Sequence, residues 1–187
     1  MGSDPFGMHR HTGSLRPFLE EVARRDSGVG GGSAAALAAA LAAALVEKLA
    51  PDRRMARRLG RVRHACLGFV AEDAARFAEV LAARRAASRR PFVQALRAAT
   101  EVPFRVQAHA HDIEAVCLAL RRKVPSKFRS DLMCAAALAR AGAASAQALI
   151  EANLSWMSDP AYARRVRRRL KKTVARSRRR PETLSDW

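Results

Sequence analysis

The chain has little that is aromatic and little that is acidic. Phe, Trp and Tyr make up 5 % of its 187 residues, and only 17 Asp and Glu stand against 35 Lys and Arg. A core of large rings is therefore excluded, and so is the acidic surface of an ordinary soluble enzyme. Cysteine is equally sparse. Cys66, Cys117 and Cys134 lie far apart, without CxxC spacing, which excludes a disulfide framework and a zinc ribbon. All three fall in apolar helical patterns and are expected as small buried hydrophobes, in keeping with a reducing compartment. The longest uncharged apolar run, 34–46, is too short to span a bilayer and reads as a core helix. The polar start offers no apolar run to serve as a signal peptide, so a cytoplasmic location and no membrane partner are expected.

What is present is alanine, leucine and arginine. Apolar residues reach 49 %, and no stretch alternates apolar and polar residues as a half-buried strand does. Every periodic segment has a helical period. The expected fold is all-α, a bundle in one domain of about 14–162. A flexible segment 1–13 precedes it, and a basic helix with a disordered tail, 163–187, follows. Helices are expected over 15–25, 33–49, about 52–87 with a weak point at Gly60, 92–122 with a kink at Pro103, and 130–156. The last helix opens at Asp159-Pro160 and fades beyond Val174. Ser33 and Ser130 are the expected N-caps. The Ala-rich helix is apolar all round. It is therefore expected at the centre, enclosed by the other helices or by a partner subunit.

Several groups of residues could carry chemistry. Gly28 to Ser33 place glycines and a helix start together, which suits close approach to a ligand and attraction of an anion. No GK[ST] follows, so this is not a phosphate-binding P-loop; a plain turn before a capped helix is the competing reading. Asp73 lies four residues from both Phe69 and Phe77, on the apolar stripe of its helix. A buried carboxylate is costly unless it is paired or used, and burial raises its pKa toward the range of a general acid or base. The competing reading is a structural ion pair with Arg76 or Arg105. Ser130-Asp131 taken alone is ordinary helix-start chemistry. His109, His111 and Asp112 do not assemble a metal site and read as surface or interface groups, so no metal is expected. From Arg164 on, eleven bases face two acids. Such a segment could neutralise phosphates, but it has no interleaved aromatics, and a solvated basic tail is the weightier reading than a nucleic-acid partner.

These pieces occur in a known order. The run from Phe18 through Gly30-Gly31-Gly32-Ser33 into the Ala/Leu helix resembles the cyclodeaminase/cyclohydrolase family. That family includes the cyclodeaminase domain of formiminotransferase-cyclodeaminase and bacterial methenyltetrahydrofolate cyclohydrolases. Asp73-Ala74-Ala75-Arg76-Phe77, Ala99-Thr100-Glu101-Val102-Pro103-Phe104, Ser130-Asp131 with Ala135 and Leu138, and Ala152-Asn153-Leu154 resemble its later segments. Val29 stands where the family has proline, and the stretch between the Ala-rich helix and Asp73 is short for it. The resemblance implies a dimeric, all-α scaffold and a tetrahydrofolate derivative as substrate, with no tightly bound cofactor. It implies either ammonia release from formimidoyltetrahydrofolate as the methenyl ring closes, or hydrolysis of methenyltetrahydrofolate. Asp73 and Asp131 are then the acid/base candidates. Gly30, Gly31, Gly32, Ser33 and Asn153 line the pocket, and Lys127 and Arg129 meet substrate carboxylates. Two alternatives remain open on the residues: a non-folate substrate on the same scaffold, or a non-catalytic helical dimer that binds nucleic acid through its basic segment.

Overall fold

The computed structural model describes residues 8–86 and 88–179, with side chains from 15 to 175 apart from residue 87. The described residues form six α-helices and one 3-10 turn, with no strand among them. The helices are α1 (Met8–Ala23), α2 (Gly31–Lys48), α3 (Arg53–Arg85), α4 (Arg89–Leu120), α5 (Arg129–Met157) and α6 (Pro160–Arg179); the 3-10 turn Ser126–Phe128 leads into α5. The all-α expectation holds. Helix α1 begins at Met8, inside the segment expected to be flexible. Helix α6 runs to Arg179, past the expected fading point at Val174. The expected disorder of the last residues lies outside the described residues.

Alanine explains the architecture. Helix α2 packs against α3, α4 and α5 at once, because its small side chains let three neighbours approach. Ala35, Ala36, Ala39, Ala40, Ala42, Ala43 and Val46 are all buried. The closest approach is at Gly142 of α5, where a Cβ would stand 3.1 Å from the Ala35 carbonyl and 3.4 Å from the Ala39 amide. The C-terminal half of α2 meets Met55 and Leu59 of α3, Val116 and Leu120 of α4, and Leu132 and Ala135 of α5. Its N-terminal half meets Cys66 and Phe69, Val102 and Val106, and Ala143 and Ala146. Helices α2 to α5 thus run up, down, up, down, as short connections between neighbours favour. The enclosure expected of α2 is incomplete within one chain: Leu41 remains 47 % exposed. By length and composition alone, α2 and Ser126–Met157 could cross a membrane, but half of the α2 window is buried within the bundle.

Local signals mostly set the helix ends. Asp52 caps α3, its carboxylate accepting the Met55 N–H at 2.8 Å. Helix α3 passes through Gly60 without a break. The missing side chain there admits the Glu47 carboxylate, which pairs with Arg63 at 2.7 Å. Helix α4 likewise continues through Pro103. Two caps differ from expectation. Helix α2 starts at Gly31 with Gly30 as its cap, and α5 starts at Arg129 after Phe128, neither with a side-chain cap bond. Both serines therefore lie inside their helices. Helix α5 ends at Ser158 in the left-handed region (φ 52°), and Asp159 then caps α6 by accepting the Tyr162 N–H at 3.0 Å.

The basic segment is docked. Ala163, Val166 and Leu170 share one face of α6 and bury against Ile150 and Leu154 of α5. Three ion pairs frame that seam: Arg97–Asp159, Arg169–Glu101 and Arg167–Glu151. The cysteine expectation needs one correction. Cys66 and Cys117 are buried, and burial pushes both thiols up to about 12. Cys134 is exposed, because it falls on the outer face of α5.

Candidate active site

A cavity of about 300 Å³ opens where the N-terminus of α2 meets α3, α4 and α5. Each helix supplies residues from one face. Helix α3 gives Asp73, Phe77 and Val80, spaced four and three apart; α4 gives Ala99 and Pro103; α5 gives Leu149, Ala152, Asn153 and Trp156. The glycine turn supplies Gly28, Gly30, Gly31 and Gly32. The walls are mainly apolar, and Asp73 is the one titratable side chain among these lining residues.

The geometry around Asp73 is tight. Its carboxylate lies against the Cα of Gly32, in the volume a side chain at that position would fill. The glycine therefore brings the acid directly onto the first turn of α2, where free N–H groups and the helix dipole favour an anion. Ser33 is fully buried beneath the acid. Its Oγ lies 2.9 Å from the Val70 carbonyl and 3.3 Å from Asp73 Oδ2. Burial raises the Asp73 pKa from its ordinary value; hydrogen bonds from the Ser33 side chain and backbone N–H offset part of that rise. Neither arginine of the competing ion-pair reading reaches Asp73. Arg76 pairs with Glu79, and Arg105 pairs with Glu72 while lying 4.6 Å from the Phe69 ring centroid.

The structure brings some of the expected site residues together and separates others. Asp73, Gly30, Gly31, Gly32 and Asn153 share the cavity. Ser33 stands behind it rather than in its lining. Asp131, Lys127 and Arg129 lie at the opposite end of α2. There Asp131 pairs with Lys48 at 2.6 Å, and Lys127 sits over the Phe128 ring at 5.0 Å. The 18 residues of α2 put about 27 Å between its two ends at 1.5 Å per residue. Within one chain, Asp73 and Asp131 do not form an acid/base pair.

Sequence reasoning missed Trp156, Leu149, Ala99 and Val80 as lining residues. The signal was present: Leu149, Ala152, Asn153 and Trp156 repeat at three- and four-residue steps along α5. Trp156 is half-exposed at the cavity mouth. Pro103 carries a consequence beyond the lining. It has no N–H to give the Ala99 carbonyl four residues back, so that carbonyl lacks its usual partner in the helix ladder.

His109 and His111, expected as surface or interface groups, are both half-buried. His109 is partly buried and stacked on Phe69 with centroids 5.8 Å apart. Its pKa is lowered by burial, an effect that Asp112 opposes. Among the described residues, no three His, Cys, Asp or Glu side chains gather in a way that could hold a metal ion.

Comparison with known proteins comes down on the same scaffold. The sequence model of formiminotransferase-cyclodeaminase matches residues 14–172. No curated protein sequence matches the chain at a significant level. Among solved structures, the formiminotetrahydrofolate cyclodeaminase of Thermotoga maritima superposes with a TM-score of 0.76 at 22 % identity, covering 90 % of this chain and 89 % of that one. At that identity the superposition establishes the shared fold.

Proposed function

This chain belongs to the formiminotransferase-cyclodeaminase family, and from that premise we propose that its Asp73 cavity closes the ring of a formimidoyltetrahydrofolate with release of ammonia. Hydrolysis of methenyltetrahydrofolate is the related reaction of the same site. The observation that carries the reading is a carboxylate in an apolar pocket, held on a helix N-terminus with no cation against it among the described residues.

The chemistry needs one group that takes a proton and returns it. N10 of the folate attacks the amidinium carbon, and Asp73 accepts the N10 proton as the new C–N bond forms. The same carboxyl then donates that proton to the departing nitrogen, which leaves as ammonia while the methenyl cation remains. A raised pKa suits both halves of this exchange. The ionised Asp73 attracts the cationic amidine, and the released Ala99 carbonyl accepts an N–H from it. Trp156 and Phe77 offer flat apolar faces to the pterin, and Asn153 offers an amide to its polar edge. The glutamate end extends toward solvent. Trp156→Ala therefore raises KM more than it lowers kcat.

We place the active form as a homodimer in the cytoplasm. The outer faces of α2 and α5 support it: Leu41 and Met133 are exposed, and the outer face of α2 from 34 to 45 carries only alanine and leucine. Leu41→Glu should convert the protein to monomer in sedimentation.

The deciding assay follows the methenyl chromophore. Purified protein should generate it from formimidoyltetrahydrofolate or deplete it from methenyltetrahydrofolate, and Asp73→Asn should abolish both. Absence of turnover with either substrate, or full activity in Asp73→Asn, overturns the reading.

A further inference from the structure

We infer that the Ser33 hydroxyl is a positioning rotor for Asp73, turning between the Val70 carbonyl and Asp73 Oδ2 as the acid loses and regains its proton. The inference deepens the acid/base role proposed for Asp73 and rests on that reading for its catalytic meaning. Its physical content stands on the geometry alone.

Ser33 is fully buried, so no water competes for its hydroxyl. A hydroxyl has one proton to donate and lone pairs to accept with. Two acceptors face it: the Val70 carbonyl at 2.9 Å and Asp73 Oδ2 at 3.3 Å. The shorter distance is that of a full hydrogen bond, and the longer one lies outside the usual O–H···O range. With the proton on the Val70 side, a lone pair of Oγ faces Asp73. That arrangement is favourable when Asp73 is protonated and donates to Oγ, and unfavourable when it is ionised. On ionisation the hydroxyl turns to donate to Oδ2. Val70 then keeps the helix N–H that position 74 supplies, so leaving it costs little.

No other charge competes for control of the acid among the described residues. Helix α2 presents Gly32 and Ser33 to it, and the walls from α4 and α5 carry no titratable group. On its own helix, Glu72 is engaged by Arg105 and Arg76 by Glu79. Asp112 and His109 line a separate cleft between α3 and α4. The rotor thus serves both states of Asp73 without a full charge nearby, and the ionised state more strongly, because a hydrogen bond to a charged oxygen is worth about twice a neutral one.

The test reads titration in the substrate-free protein. In the unsubstituted chain labelled with carbon-13, the Asp73 carboxyl carbon and the Ser33 β-carbon should titrate with one midpoint. Ser33→Ala removes the hydroxyl donor to the ionised form, leaves the backbone N–H of that position in place, and should move the Asp73 midpoint to higher pH by about one pH unit. Ser33→Thr retains the hydroxyl and should restore it. A Ser33 β-carbon that ignores the Asp73 titration overturns the rotor, and so does an unmoved midpoint in Ser33→Ala. Neither result touches the folate reading. Conversely, coupled titration in a protein without turnover would leave the rotor standing and remove the proposed reaction. With turnover present, the lower limb of the kcat profile should move with the midpoint in Ser33→Ala.

Discussion

The carboxylate of Asp73 occupies the space that a side chain on Gly32 would need. Two residues 41 positions apart thus fix each other: the glycine is required because the acid is there, and the acid sits on the α2 N-terminus because the glycine is bare. Gly32→Ala should push the carboxylate off the helix end and away from Ser33. The displaced group is the tip of a mobile side chain, so the fold survives. A displacement of about 1 Å costs on the order of 100-fold in rate, so kcat/KM should fall by about that factor while the melting temperature changes little. An unaffected kcat/KM would show that the contact is incidental.

Asp73 should cost the protein stability at neutral pH. Its folded pKa is raised, mainly by burial. The contribution of such a group is fully present below the unfolded value and is lost as pH rises through the folded value. Asp73→Asn should therefore melt higher than the parent at pH 7, and the gap should close toward pH 4. Thermal melts across that range check it.

Gly142 should tolerate no branched side chain. A Cβ there already crowds the Ala35 carbonyl and the Ala39 amide, and backbone cannot step aside as a side chain can. Gly142→Val forces α2 and α5 apart and should destabilise the fold by about 1–3 kcal/mol. Urea unfolding monitored by circular dichroism measures this directly.

The docking of α6 should loosen in acid. Arg167 at Glu151 holds that carboxyl below its ordinary value of 4.5, and the Tyr162 N–H followed by Arg97 does the same for Asp159. Depressed folded values mean stability that is present above the ordinary carboxylate range and is lost as pH falls through the folded values. Exchange protection of α6 amides should fall below about pH 4 before that of α2 does. Glu151→Gln should weaken the helix at neutral pH by about 0.2–1 kcal/mol, the range for exposed pairs.

Much of this was legible in the chain. The absence of period-2 alternation fixed the all-α class. Asp52, Pro160 and the glycine turn marked three helix starts within a residue or two. Asp73 stood out because a carboxylate four residues from Phe69 and Phe77 lies on the stripe that must face other helices. The cavity face of α5 was equally readable from Leu149 to Trp156, but only once a partner for that face was known.

Other features were decided by the tertiary structure. Ser33 reads as a cap, yet the helix begins two residues earlier, and its hydroxyl reaches α3. Cys134 reads as buried, yet it falls on the side of α5 that none of the described helices covers. The basic segment reads as a solvated tail, yet Glu101 and Glu151 lie where its arginines can pair. Asp73 and Asp131 look like companions in an ordered set of motifs, and the bundle puts them at opposite ends of α2. A 3.6-residue period assigns each residue to a face of its own helix, so the sequence by itself determined the helices, their apolar stripes and the isolated acid. Which ends and faces meet depends on antiparallel packing between segments 40 or more residues apart, and only that packing made Gly32, Ser33 and Asp73 one site.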